Sequence, residues 1–182
     1  MRIITGRFKG RILTTVRDLS VRPATDRVKS TIYNTLQSRL SLDGISVLDL
    51  FAGSGSLGFE ALSRGAASVV FVENNRNVLD CIRGNAAKLG CEDECTFFKG
   101  DADEYVRSAS ATFGLVFVDP PYADGTTAEL PSLIFGKGLV APGGYVILEH
   151  TKRTIIPPSD IYRTAVVKEF GATIVSFCTH PS

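Results

Sequence analysis

Four acids stand where a chain alternating strands with helices would end its strands, and each could hold a polar ligand. Asp49 lies in Val47-Leu48-Asp49-Leu50, which runs into Phe51-Ala52-Gly53-Ser54-Gly55-Ser56-Leu57-Gly58. Gly53, Gly55 and Gly58 have the G-x-G-x-x-G spacing, which lets a backbone turn tightly and bring N–H groups against a ligand at a helix N-terminus. Glu73 closes Phe71-Val72-Glu73, twenty residues beyond Gly53, where a carboxylate can accept both hydroxyls of a ribose. Asn74, next along, could equally cap a helix. Asp101 follows the next strand in Gly100-Asp101-Ala102. No Gly-Lys-Ser/Thr follows the glycines, which excludes a nucleoside-triphosphate P-loop. A carboxylate just ahead of the glycine turn would repel a dinucleotide pyrophosphate and welcome a sulfonium cation and a free amino group. NAD(P) is the competitor that Asp49 argues against.

The fourth acid, Asp119, ends Val116-Phe117-Val118-Asp119 and runs straight into Pro120-Pro121-Tyr122. Two prolines fix their own φ angles and remove two backbone donors, leaving carbonyls that can only accept. Asp119 and the Pro120 carbonyl could together accept both hydrogens of a planar exocyclic amine and point its lone pair at a methyl group. Tyr122 offers a face for stacking an extruded base, worth about 1–3 kcal/mol per base. No strong base is required, because the amine becomes cationic as it attacks and Asp119 stabilises that charge before the proton leaves.

The elements that must position these residues can be read along the chain. Strands are expected at Arg2–Thr5 and Arg11–Val16 around a glycine turn that exposes Arg7 and Lys9. A helix capped by Thr25 or Asp26 follows, with Val28, Ile32, Leu36 and Leu40 recurring every fourth residue. Strands Ser46–Leu50, Ser68–Glu73, Cys95–Lys99, Leu115–Asp119 and Tyr145–Glu149 then alternate with helices near 56–64, 76–89, 102–110 and 127–135. Arg163–Phe170 and Ala172–Cys178 read as a closing hairpin. This predicts an α/β fold: a mostly parallel, doubly wound sheet ending in an antiparallel hairpin, with a small β-hairpin/helix appendage at the N-terminus. The expected division is a basic appendage, residues 1–42, on a body of residues 43–182. Ligands of such sheets bind beyond the carboxyl ends of the strands, where all four acids fall.

The 182 residues, 44% hydrophobic and 21% charged, suit one domain that buries its own core. No apolar run approaches the roughly 20 residues of a membrane span, and the first residues lack a secretory h-region. A cytoplasmic location is the default. Cys81, Cys91, Cys95 and Cys178 follow no zinc spacing, so no metal is expected and reduced thiols are. The net charge of +1 hides an asymmetry: residues 1–40 hold nine Lys/Arg against Asp18 and Asp26, and the remainder is acidic. A basic arm on an acidic body suggests a polyanionic partner, although a β-hairpin that merely covers a sheet edge would carry the same residues.

The stretch from Asp49 to Gly55 resembles the cofactor loop of the class I S-adenosylmethionine-dependent methyltransferases, which implies a Rossmann-like fold of seven strands. The resemblance makes Asp49, Phe51, Ala52, Gly53, Ser54, Gly55, Glu73, Asn74, Asp101, Ala102 and Asp119 cofactor-binding, with Glu73 the ribose acid and Asp101 the adenine acid. Asp119-Pro120-Pro121-Tyr122 is similar to the motif of amino-group methyltransferases acting on adenine, cytosine or guanine, which makes these four residues catalytic. Arg2-Ile3-Ile4-Thr5-Gly6-Arg7-Phe8-Lys9-Gly10-Arg11 and Arg22-Pro23-Ala24-Thr25-Asp26-Arg27-Val28-Lys29 resemble the N-terminal signatures of the RsmD family. Thr5, Ala24 and Lys29 stand where that family has glycine, threonine and arginine. The resemblance implies methyl transfer from S-adenosylmethionine to N2 of one guanine in 16S rRNA of the small ribosomal subunit. Arg7, Lys9, Arg11, Arg22 and Arg27 become the RNA-contact residues, and a monomer is the default. A methyltransferase for adenine N6 or another planar amine, on DNA, RNA or a protein glutamine, fits the same motif. A more distant alternative is an RNA-binding module that kept the fold without the activity.

Overall fold

The computed structural model describes residues 1–16, 26–121 and 127–181. Strands β1 (Ser46–Leu50), β2 (Ser68–Glu73), β3 (Cys95–Lys99), β4 (Phe113–Val118) and β5 (Val140–Thr151) run parallel. Strands β6 (Arg163–Phe170) and β7 (Thr173–Thr179) form the closing hairpin, with β7 antiparallel to β5, in the order β3-β2-β1-β4-β5-β7-β6. The chain steps outward from β1 to β3, then returns across β1 to lay down β4. Strand order therefore reverses between β1 and β4, and a crevice opens beyond their carboxyl ends.

Helices α1 (Asp26–Gln37), α2 (Ser56–Ser63) and α3 (Arg76–Leu89) cover one face of the sheet over Val47, Val69, Phe71, Leu115, Phe117 and Ile147. Helices α4 (Ala102–Ser108) and α5 (Leu130–Gly136) cover the other over Leu48, Leu50, Val72, Val116, Val118 and Leu148. Burial on both faces explains why β1 and β4 are nearly continuous apolar runs, with Asp49 the exception. Gly58 allows α2 to lie close on β2, since a Cβ there would stand 2.4 Å from the Phe71 ring. Of the bounds that differ from the sequence reading, two bear on the site. β4 ends at Val118, so Asp119 already belongs to the loop beyond it, and β5 begins five residues before Tyr145 across an irregular register.

The N-terminal arm departs furthest from expectation. Its two strands reduce to a single bridge between Arg2 and Ile12. The two segments still bond each other at Ile3 N–H to the Arg11 carbonyl (3.0 Å), Gly10 N–H to the Ile3 carbonyl (2.9 Å) and Leu13 N–H to the Met1 carbonyl (2.9 Å), but the donors of Ile4, Thr5, Arg7 and Phe8 are drawn off to α2. Ile4 and Thr5 donate to the Glu60 carboxylate at 2.7 and 3.0 Å. Arg7 N–H donates to the Ser63 carbonyl at 2.8 Å, and Phe8 N–H to Ser63 Oγ at 2.9 Å. Glu60, fully buried, also takes Arg64 Nε at 2.8 Å and faces Lys29 Nζ at 3.8 Å. Ile3 and Leu13 of the arm join the core with Val28, Ile32 and Leu36 of α1. Lys29 is fully buried as well, so one of the arm's nine basic side chains serves the interior and cannot meet a partner.

Candidate active site

Strand register brings the acids together. Asp49 pairs with Phe71 of β2 and Phe117 of β4, and Phe117 pairs with Ile147 of β5. Paired residues of parallel strands share a face, and the next side chain on that face lies two residues on. Glu73 and Glu149 stand two residues beyond Phe71 and Ile147, and Asp119 two beyond Phe117. Asp49 lies one pleat deeper.

Each carboxylate is held differently. Asp49 is 2% exposed and accepts the Gly58 N–H at 2.9 Å, which ties β1 to the first turn of α2. Burial pushes its carboxyl up to about 8, with the Gly58 bond pulling it down and Glu73 adding to the rise. Glu73 is gripped from both sides, by Gly53 N–H at 3.1 Å and by Asn75 N–H at 2.9 Å. The glycine loop and the end of β2 are thereby one unit. Asp119 is half-buried and Pro120 buried. Burial first, then the Glu149 and Asp49 carboxylates, hold the Asp119 carboxyl well above the ordinary range.

The loop backbone is strained where it turns. Phe51 has φ 58, a left-handed conformation costing a non-glycine residue about 1–2 kcal/mol, and such strain concentrates at functional sites. Gly53 and Gly55 follow with φ 54 and 73. At Gly55 a Cβ would stand 2.7 Å from the Phe59 ring, so both conformation and space require glycine. Ala52 N–H donates to the Val72 carbonyl at 3.0 Å, which continues the link with β2. A cleft opens here, lined by Phe51, Val72, Glu73, Asn74, Gly100, Asp101 and Ala102. Asn74 Nδ2 reaches Asp101 Oδ1 at 3.4 Å across it.

Five of the residues assigned to the cofactor from sequence thus line one cleft, and Asp49 and Asp119 stand at the switch point beside it. Tyr122 and Arg22 lie outside the described residues. Pro121 is exposed, as are Lys9, Arg11 and Arg27. Arg7 is brought elsewhere. Its backbone is bound to the last residue of α2 and its guanidinium pairs with Glu94, immediately before β3. Both contacts lie at the amino ends of the strands, across the sheet from Asp119.

Three residues of the site region have roles that the sequence reading did not assign them. Glu149 and His150 are neighbours in sequence but face opposite sides of β5. His150 places its ring nitrogens on Ser176 Oγ at 2.9 Å and the Thr151 carbonyl at 3.0 Å, while Glu149 faces the crevice beside Asp119. The strand-end position shared with the other acids was the signal. Asn85, 1% exposed on α3, donates to the Ser54 carbonyl at 3.4 Å, and nothing in its helical context marks it. The donor set as a whole suits a ligand that carries hydroxyls and positive charge.

Residues 1–179 match the family model described as Conserved hypothetical protein 95. The Ribosomal RNA small subunit methyltransferase D of Haemophilus influenzae is 33% identical, the alignment covering 97% of this chain and 91% of that protein. Its counterpart of the same name from Escherichia coli is 34% identical over 86% of this chain and 78% of its own length. The solved structure of the Escherichia coli protein yhhF has a TM-score of 0.87 at 30% identity, covering 99% of this chain and 97% of that one. The expected doubly wound methyltransferase fold and the family resemblance are both borne out. The chain belongs to the Conserved hypothetical protein 95 family, that of ribosomal RNA small subunit methyltransferase D, and is a methyltransferase.

Proposed function

We propose that the chain transfers a methyl group from S-adenosylmethionine to the exocyclic N2 of a guanine in small-subunit ribosomal RNA. The observation that carries this reading is the placement of Asp119-Pro120 at the strand-order switch, beside a glycine loop tied to Glu73. The residues present fit the cofactor: Glu73 offers acceptors for ribose hydroxyls, Asp101 stands across the cleft for the adenine, and Asp49 lends negative charge near the loop. When bound there, S-adenosylmethionine supplies an electrophilic methyl group on a sulfonium.

The chain's own residues do the rest. Asp119 and the Pro120 carbonyl accept the two N2–H donors, which withdraws the amine from conjugation with the ring and fixes its lone pair. As N2 attacks it becomes cationic, and the half-buried Asp119 carboxylate stabilises that charge before one N2 proton is lost. The elevated proton affinity of Asp119, set by burial and by Glu149, suits it to receive that proton. Residues 1–42 meet the RNA, through the exposed Lys9, Arg11 and Arg27 and with Arg22 as a further contact, and residues 43–182 carry the chemistry. The small ribosomal subunit is the partner in this reading and the cytoplasm its place. Among the described residues no helix is long and apolar enough to cross a membrane.

The test is transfer of labelled methyl from S-adenosylmethionine to unmodified small subunits, beside naked rRNA and duplex DNA. Label on guanine N2, lost in Asp119→Ala by a factor of about 10² or more, is the expected result. Label on adenine, on DNA or on protein would keep the mechanism and overturn the substrate.

A further inference from the structure

Thr14 of the arm lies along α3 and meets three of its side chains, all on one helical face. Cys81 Sγ donates to the Thr14 carbonyl at 3.2 Å and Lys88 Nζ to Thr14 Oγ1 at 2.6 Å. Between them, Asn85 Oδ1 accepts the Thr14 N–H at 2.8 Å, while Nδ2 donates to the Thr14 carbonyl at 2.9 Å. The buried amide therefore makes with Thr14 the two-bond exchange that a partner strand would make.

Nδ2 has a second hydrogen, which goes to the Ser54 carbonyl at 3.4 Å. That carbonyl belongs to the Ser54–Gly55 peptide, whose N–H donates to Ala52 at 2.7 Å. Ser54 lies between two glycines with positive φ, in the loop whose Phe51 lines the cleft. One amide group thus holds the arm with one hydrogen and the cofactor loop with the other. It is 1% exposed, so water cannot replace either partner, and a shift of Thr14 leaves buried polar groups unpaired unless the loop follows.

We propose that Asn85 is a positioning residue that couples the arm to the cofactor loop, so that rRNA and S-adenosylmethionine bind cooperatively. This rests on the reading of the arm as an RNA contact. Coupling of this kind is reciprocal: RNA that fixes the arm favours the loop geometry that accepts cofactor, and cofactor in the loop pins Thr14.

Calorimetry with S-adenosylhomocysteine, which cannot be turned over, and unmodified small-subunit rRNA measures the coupling. In the wild type, rRNA is expected to tighten cofactor binding by about fivefold or more. Asn85→Asp keeps an acceptor for the Thr14 N–H but removes both donors, and Asn85→Ala removes all three bonds. Both are expected to bring the ratio close to one, while Lys88→Ala, which removes the bond to Thr14 Oγ1 and leaves the Asn85 bonds in place, keeps it. An unchanged ratio in the Asn85 variants, a wild-type ratio of one, or an equal loss in Lys88→Ala would overturn the assignment.

A second measurement needs neither variant nor RNA. S-Adenosylhomocysteine alone should slow hydrogen exchange at the Thr14 amide without slowing it at Ile4 and Thr5, which are bound to Glu60 instead. No protection at Thr14, or equal protection at all three, would show that Asn85 transmits nothing. If rRNA fails to bind while this protection is seen, the RNA reading of the arm falls and the loop connection stands.

Discussion

Asp49 shows at the scale of one residue how a charge placed for the proposed cofactor works against the fold. Its carboxyl is buried, and burial raises it to about 8. The unfolded chain releases this proton near pH 4. Between about pH 4 and pH 8 the folded protein therefore holds more protons than the unfolded one, and stability from this group falls as pH rises through that window. Asn at position 49 would keep an acceptor for the Gly58 N–H, now at 2.9 Å, and carry no charge to bury. Asp49→Asn is accordingly expected to melt several degrees above the wild type at pH 8, with the gap closing towards pH 4. Its affinity for S-adenosylmethionine should fall about tenfold or more, because in the proposed site the charge that costs stability is the one that would meet the ligand's cation. Thermal melts at pH 5 and pH 8, with cofactor titrations beside them, check both halves. A variant no more stable at pH 8 would show that Asp49 is ionised and satisfied without ligand.

At the scale of elements, the arm is fastened where an extended segment meets the end of a helix. Gly6 has φ +87, and a Cβ on it would stand 1.7 Å from the Ser63 carbonyl oxygen. Gly6→Ala should therefore destabilise the protein by at least about 1–3 kcal/mol from the backbone conformation alone. Because the clash is local, hydrogen exchange at the Ile4 and Thr5 amides should rise before exchange in β1 does. Exchange that rises equally in both would mean that arm and sheet unfold as one. The same fastening explains what sequence could and could not convey. Strands β1, β2 and β3 and helix α3 have the expected bounds, because apolar strand runs and a one-faced helix write their periods into adjacent residues. The arm's alternation also reads as strand, but its Ile4, Thr5, Arg7 and Phe8 N–H groups go to Glu60 and Ser63, more than fifty residues away. No local pattern announces a helix side chain that pairs with a distant backbone. Asn85 is hidden for the same reason, whereas the acids at the strand ends were legible because topology, which the βα alternation sets, gathers strand ends at one edge.

Across the whole molecule, the basic turn and the reactive loop lie at opposite edges of the sheet. The turn at residues 6–10 is bound to Ser63, at the end of α2, and to Glu94, ahead of β3. Asp119 lies past the carboxyl end of β4. A strand of five residues, such as β1, spans about 16 Å at 3.3 Å per residue, so a ligand touching both must be longer than one nucleotide. Of the basic residues in and beside the turn, Arg7 is paired with Glu94, which leaves Lys9 and Arg11 exposed to meet phosphates. Phosphate contacts of this kind weaken binding steeply with salt, by a slope of about 0.7–0.9 for each one lost. Lys9→Ala combined with Arg11→Ala is thus expected to lower kcat/KM on small subunits and to reduce the salt slope by about 1.4–1.8. A short oligonucleotide carrying only the target guanine and its neighbours cannot span the sheet, so its slow methylation should be indifferent to the same pair of changes. If oligonucleotide and subunit lose rate equally, the arm acts through the fold and the two edges do not share one RNA. If the subunit loses nothing, recognition lies wholly at the edge that carries Asp119.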